Sequence, residues 1–230
     1  MIRWRQTLFV HWLVPPDVLN RRLPPNPSGL TLDSWRGHGV VSLVVVELDW
    51  PAPQALLDSP MGNLVRHRQL SVRTYVDGPD GPGLMPLETR VDRLSYALSA
   101  RLSGLPHRLD RHLRYEVRDS TLTLRADGLA LDGTIAKVPP ETLAPGSLER
   151  FATARERLYA AQPGERLQRV ALVHPEWRAR PVTLAQSLSP PGLAIDVAPA
   201  SAHVCEDLEV VLEPLAEPLP DSDEPTLVPA

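Results

Sequence analysis

In separate stretches between Thr7 and Val91 apolar residues recur at every second position, a spacing that commits a segment to a pleated strand with one buried face. In "TLFVHWLV" that set is Leu8, Val10, Trp12 and Val14. "LTLDSWRGHGVVSLVVVELDW" predicts two strands around the Gly37–Gly39 turn, and its apolar run from Val40 reads as a buried strand. "QLSVRTYVDGPDGPGLMPLETRV" predicts a hairpin, because Asp77-Gly-Pro-Asp-Gly-Pro-Gly supplies turn residues between two alternating runs. Strands then continue through "RLDRHLRYEV", "STLTLRA" and "LALDGTIAKV", and "RLQRVALVH" and "HVCEDLEVVLE" close the series.

Helices are few. "PPDVLNRRL" has proline at its first turn, Asp92 can cap a helix carrying Leu94, Leu98 and Leu102, and "SLERFATARERLYAA" carries Leu148, Phe151, Ala152, Arg155 and Leu158 along one side. Runs of strands with helices between them define an α+β chain that is mostly antiparallel β. The tail from Glu213 holds five acids, five prolines and no base, so it cannot bury enough apolar surface to offset its ordering entropy. The expected organisation is a single domain over 1–212 with a disordered acidic tail over 213–230. Removing the tail's five negative charges from the net −4 leaves the domain at +1.

That near-neutral balance gives no reason to expect nucleic acid as a partner. No segment approaches the roughly 18 to 20 apolar residues of a membrane helix, and none has the form of a secretion signal. A cytoplasmic location is therefore the expectation, and Cys205, the one cysteine, excludes an internal disulfide. The nucleotide, metallohydrolase, zinc-ribbon and serine-hydrolase motifs are absent, and seven scattered histidines show no metal-ligand spacing, so no metal and no cofactor is expected. Homodimerisation is possible, because exposed strand edges need cover.

Alternation also selects candidate site residues. In "HRLDRHLRYEV" the parity of Leu109, Arg111, Leu113, Tyr115 and Val117 is mostly apolar and takes in His107, while Arg108, Asp110, His112, Arg114 and Glu116 should face water. A polar ring pointing inward must be paired or must line a cavity. On the hairpin, Leu70, Val72, Thr74 and Val76 form one parity, and Gln69, Ser71, Arg73 and Tyr75 form the other. Arg73 is a surface arginine on a half-exposed sheet, or a two-pronged anion donor if the sheet closes into a barrel. Glu88 stands on the partner strand within reach of Arg73, either as its cross-strand ion pair or as a pocket carboxylate. His174 ends a strand in "VALVHPEW", with Trp177 as a packed indole or the aromatic wall of a pocket.

The stretches "TLFVHWLVPPDVLNRRLPP", "LTLDSWRGHGVVSLVVVEL", "LSVRTYVDGPDGPG", "ARLSGLPHR" and "LERFATARERLYAAQPGERLQRVALVHPEW" resemble, in this order, the uncharacterised YqjF-like family, over roughly residues 4–180. The resemblance implies the fold of acetoacetate decarboxylase, a cone-shaped β-barrel around a pocket with peripheral helices. In that enzyme a Gly-x-Pro-Lys-Lys element supplies the lysine that forms a Schiff base. Here "GLPHR" is similar to that element and puts His107 and Arg108 where the lysines stand. Imidazole cannot form the protonated imine. The chain's one lysine, Lys137, lies in another context, and Gln69 replaces a common acid of the family. The expectation is therefore not a Schiff-base decarboxylase.

Three functions remain in view. The first is a barrel pocket for a small, anionic organic ligand, lined by Arg73, His107, Glu88, Tyr75, Gln69 and Trp177. The second is an acid–base enzyme (lyase, isomerase or hydrolase) on a keto or enol acid, with His107, His174 or Glu88 as its catalytic group. The third is a protein-interaction module with a filled barrel. Two titratable groups converging on one buried cavity favour the enzyme, one cation among apolar walls favours the binder, and a barrel packed solid with no cavity favours the interaction module.

Overall fold

The structure is a computed structural model, described here for residues 1–24, 29–50, 66–102, 105, 107–160 and 167–215. Most of the chain is strand, arranged around a closed barrel. The strands are β1 (Ile2–Val14), β2 (Thr31–Leu32), β3 (Gly39–Asp49), β4 (Arg66–Gly78), β5 (Gly81–Val91), β6 (His107–Leu109), β7 (Arg114–Arg118), β8 (Thr121–Ala126), β9 (Leu129–Ile135), β10 (Glu141–Thr142), β11 (Arg157–Ala160), β12 (Gln168–Val173), β13 (Arg178–Leu184), β14 (Ser201–Cys205) and β15 (Leu208–Pro214). The helices are α1 (Pro16–Asn20), α2 (Leu94–Leu102) and α3 (Leu148–Thr153).

Strands β15-β12-β11-β5-β4-β3-β1 form a seven-stranded barrel that closes through the β1–β15 pair. The order β14-β13-β9-β8-β7 branches from the same edge of β1. One strand serves both sheets because its register shifts between Arg5 and Leu8, where Gln6 takes a positive φ of 47°. Ile2–Trp4 then pair with β15, and Leu8–His11 pair with β14. The exposed groups of this bulge are satisfied: Tyr115 Oη donates to Gln6 O at 2.6 Å, and Gln6 N donates to Asp207 Oδ1 at 3.0 Å.

Both faces of β1, β3 and β4 are consequently buried. Leu8, Val10, Trp12 and Val14, with Val41, Leu43, Val45, Leu70 and Val72, pack on Leu113, Leu122, Leu124 and Leu131 of the outer sheet. The opposite face looks into the barrel, where α3 places Leu148, Phe151 and Ala152 against Val40, Tyr75, Leu84 and Leu172.

The structure alters three expectations. "SLERFATARERLYAA" is not one helix: α3 stops at Thr153, and Arg157–Ala160 become β11. Tertiary packing overrides helix propensity there, because Leu158 pairs with Leu84 of β5 and the Tyr159 ring fills a slot that only glycine leaves open. A Cβ on Gly78 or on Gly83 would come within 2.6 Å of that ring. "RLDRHLRYEV" is also two elements: β6 pairs in parallel with β5, and the chain turns before β7. Asp110, expected to face water, is buried at that turn, where it accepts from the backbone N–H groups of His112 and Asp127, each at 2.9 Å. Finally, β15 runs to Pro214, two residues past the expected domain boundary, and residues 216–230 of the tail lie outside the described residues. Among the described residues no helix is long and apolar enough to cross a membrane.

Candidate functional site in the barrel interior

Register puts polar residues of distant strands into rows on the inner face. Arg73, Ser42, His11 and Ser201 form one rung across β4, β3, β1 and β14. Ser71, Val44, Phe9 and His203 form the next, which Thr89 and His107 extend across β5 and β6. The barrel thus decides between the two readings of the Arg73 parity: Arg73, Tyr75 and Ser71 are buried, and Gln69 is half-buried.

Arg73 is only 6% exposed. Its Nη2 donates to Ala152 O of α3 at 3.3 Å, and its guanidinium carbon lies 5.2 Å from the Phe9 ring centre and 5.8 Å from that of Tyr75. Its Nε has no hydrogen-bond partner, and no ion pair to Arg73 occurs among the described residues. The neighbouring Arg155, by contrast, pairs with Asp33 at 2.7 Å.

Beside Arg73, His11 Nδ1 and Ser42 Oγ are 2.6 Å apart, and Ser42 Oγ and Tyr75 Oη are also 2.6 Å apart. The His203 ring lies 5.1 Å from that of His11 and stacks on Phe9 at 5.0 Å. Neither nitrogen of His203, nor Nε2 of His11, has a partner among the described residues. Burial, then the charge of His203 and then that of Arg73 hold His11 well below the usual histidine range. Burial likewise brings His203 down to about 4, with Arg73 pushing the same way and the Glu149 carboxylate of α3 opposing it. Both imidazoles are therefore neutral at pH 7.

The other sequence candidates are dispersed around this cluster. His107 is half-buried on the inner face, as its parity implies, and burial lowers its pKa. A buried neighbour, His67, is brought down to about 3 by burial, then by His107 and Arg93, and stacks on Tyr96 at 3.7 Å. Trp177 is buried against Phe9 at 5.4 Å, with Nε1 donating to Thr153 O at 3.1 Å. His174 packs on Trp177, its Nδ1 facing Pro175 O at 2.8 Å, rather than among the inner polar groups.

Glu88 does not pair with Arg73. The bulge between Val72 and Arg73 sets Glu88 opposite Val72, on the other face of the sheet, where it binds Arg90 at 2.9 Å and Arg108 at 3.3 Å. Lys137 is exposed just beyond β9, on the outer sheet. The acidic group of Asp110, His112 and Asp127 has metal-ligand types within 4.8 Å of one another, but both Asp110 oxygens already hold the turn.

His11 and His203 escape sequence reading for one reason. Alternation identifies a single buried face per strand, and here the face left over is buried as well. The available signal is a histidine in the off-parity of an otherwise apolar strand, "TLFVHWLV".

A cone-shaped barrel with a polar row inside and helices around it defines the acetoacetate decarboxylase-like fold class. The chain itself belongs to the DUF2071 family, described as an uncharacterised conserved protein (COG2071), whose model matches residues 1–208. No curated protein matches its sequence. Among solved structures, the enduracididine biosynthesis enzyme MppR in complex with pyruvate is similar, with a TM-score of 0.62 and 16% identity over 94% of this chain and 90% of that one. An acetoacetate decarboxylase-like enzyme from Sphingomonas wittichii RW1 gives 0.60 and 16% over 93% and 92%. Acetoacetate decarboxylase from Legionella pneumophila gives 0.55 and 15% over 94% and 87%. At these identities the likeness is one of fold.

Proposed function

We propose that the chain binds a small carboxylic acid inside the barrel, with the Arg73 guanidinium as its anchor. The observation that carries this reading is a buried cation with no ion pair among the described residues and an unpartnered Nε. An uncompensated buried charge costs several kcal/mol, and the Ala152 carbonyl and two aromatic faces offset only part of that. A carboxylate would complete the site, because guanidinium offers it a planar pair of donors. Tyr75, Phe9 and Trp177 supply the apolar walls. MppR, which shares the fold, holds pyruvate, itself a small carboxylate. Lys137, the chain's one lysine, is exposed on the outer sheet, which supports a reading in which the acid is held by charge and hydrogen bonds.

The test is a thermal-shift series with acetate, propionate, lactate, pyruvate and acetoacetate on the parent protein and on Arg73→Met. An acid at about 100 times its dissociation constant adds roughly 2.7 kcal/mol, a readable rise in Tm. The expected result is a rise with at least one acid in the parent and none in Arg73→Met. No rise with any acid, or an equal rise in both proteins, overturns the reading.

A further inference from the structure

The unpartnered atoms beside Arg73 do not follow from anion binding alone. His11 Nε2 and both nitrogens of His203 are buried without partners among the described residues, and each such atom carries an unrecovered desolvation cost. The direction of the His11–Ser42–Tyr75 chain determines what these atoms offer. If Ser42 donated to Tyr75, the phenol proton would be left without an acceptor among the contacts the chain makes. If Tyr75 donates to Ser42 and Ser42 to His11 Nδ1, the one proton left over is instead that on His11 Nε2. We take this second direction, in which the spare proton faces a ligand rather than ending on the phenol. His11 then presents a donor, refilled from behind by two hydroxyls. His203, its ring 5.1 Å away, presents a lone pair, and Glu149 favours the imidazolium that protonation would create.

A donor and a base beside a carboxylate anchor are the parts needed to enolise an acid with a carbonyl group. We propose that the barrel interior catalyses proton transfer at the carbon next to the carbonyl of a bound oxo acid, with His203 as base and His11 as acid. This rests on the binding reading above. His203 takes the proton as the C–H bond breaks, and the electron pair of that bond becomes the C=C bond of the enol. The carbonyl π pair moves onto oxygen, which takes the Nε2 proton of His11. The Ser42 proton passes to Nδ1 and the Tyr75 proton to Ser42, so the imidazole stays neutral. The guanidinium carbons of Arg73 and Arg155 lie 5.8 Å and 5.4 Å from the ring centre of the resulting phenolate. The reverse steps restore the oxo acid, and no oxidant or second substrate is consumed. Ser42 and Tyr75 act through His11 and are positioning residues.

The experiment follows pyruvate and acetoacetate by proton NMR in D2O with the full chain, beside the thermal-shift series. Loss of the signals next to the carbonyl, at least tenfold faster than in buffer, is expected. His203→Asn should abolish that gain while keeping the Tm rise, because Arg73 is intact. Ser42→Ala should slow exchange about tenfold or more with the affinity retained, a split that a structural role would not produce, and Tyr75→Phe should slow exchange as well. If either oxo acid binds and exchanges no faster than in buffer, the inference fails while the binding reading stands. If His203→Asn folds, binds and exchanges at the parent rate, the assignment of the base fails. If neither oxo acid raises Tm or exchanges faster than in buffer, the activity is refuted, and the shifts with acetate, propionate and lactate decide the binding reading separately.

Discussion

Strands β1, β3 and β4 carry two buried faces of equal length and opposite content. On the face toward the outer sheet the row Trp12, Val41, Leu43 and Val72 is apolar, and the one polar atom of Trp12 donates to Leu188 O at 2.7 Å. On the face toward the barrel interior the same strands place His11, Ser42, Ser71, Arg73 and Tyr75, and two of their polar atoms, His11 Nε2 and Arg73 Nε, are unpartnered among the described residues. Burial is nearly complete on both faces, so the hydrophobic effect alone would have filled them alike. One face therefore secures the fold, while the other retains polar groups whose burial works against it.

The largest break in this comparison should come from the apolar face. Trp12→Ala removes a fully buried indole and should cost about 3–5 kcal/mol, read as a lower denaturant midpoint. Acid should act next, and through the polar face. His203 titrates near 4 when folded and near 6.5 when unfolded, so its contribution is complete above pH 6.5 and is lost as pH falls toward 4. That loss is about 3 kcal/mol, with His67 adding in the same direction. Urea midpoints at pH 7 and pH 4.5 measure the sum, and His203→Asn should remove its share and leave that of His67.

Arg73→Met should have the opposite sign. It replaces a buried cation that has no ion pair among the described residues by an apolar side chain of similar length and should stabilise the free protein by about 1–2 kcal/mol while removing acid binding. A destabilised Arg73→Met would make the arginine part of the scaffold and erase the contrast between the faces. The smallest effect belongs to Glu88→Gln, whose ion pairs with Arg90 and the exposed Arg108 should contribute below about 1 kcal/mol, with acid binding unchanged.

Much of the fold was legible because alternation, turn residues and short helices are local signals. Leu8, Val10, Trp12 and Val14, the Asp77–Gly83 hairpin turn and α1 follow from spacing and backbone chemistry alone. The β11 segment was not legible, because a helix-compatible sequence became strand through partners far along the chain. Of the site, the sequence identified Arg73, Tyr75, Gln69 and His107 as one parity or as inward positions, and the barrel gathers them on the inner face. The Glu88 position turned on a single bulge, which alternation cannot register.

The sequence by itself determined which residues share a strand face, that strands outnumber helices, and that no lysine stands in the "GLPHR" element. Whether the leftover faces meet water, each other or a second sheet was decided only by closure of β1 on β15 and by the branch to β14. The physical reason is range. Side-chain alternation is set within each strand, whereas the distance between His11, Arg73 and His203 depends on register across strands up to 192 positions apart in the chain (203 − 11).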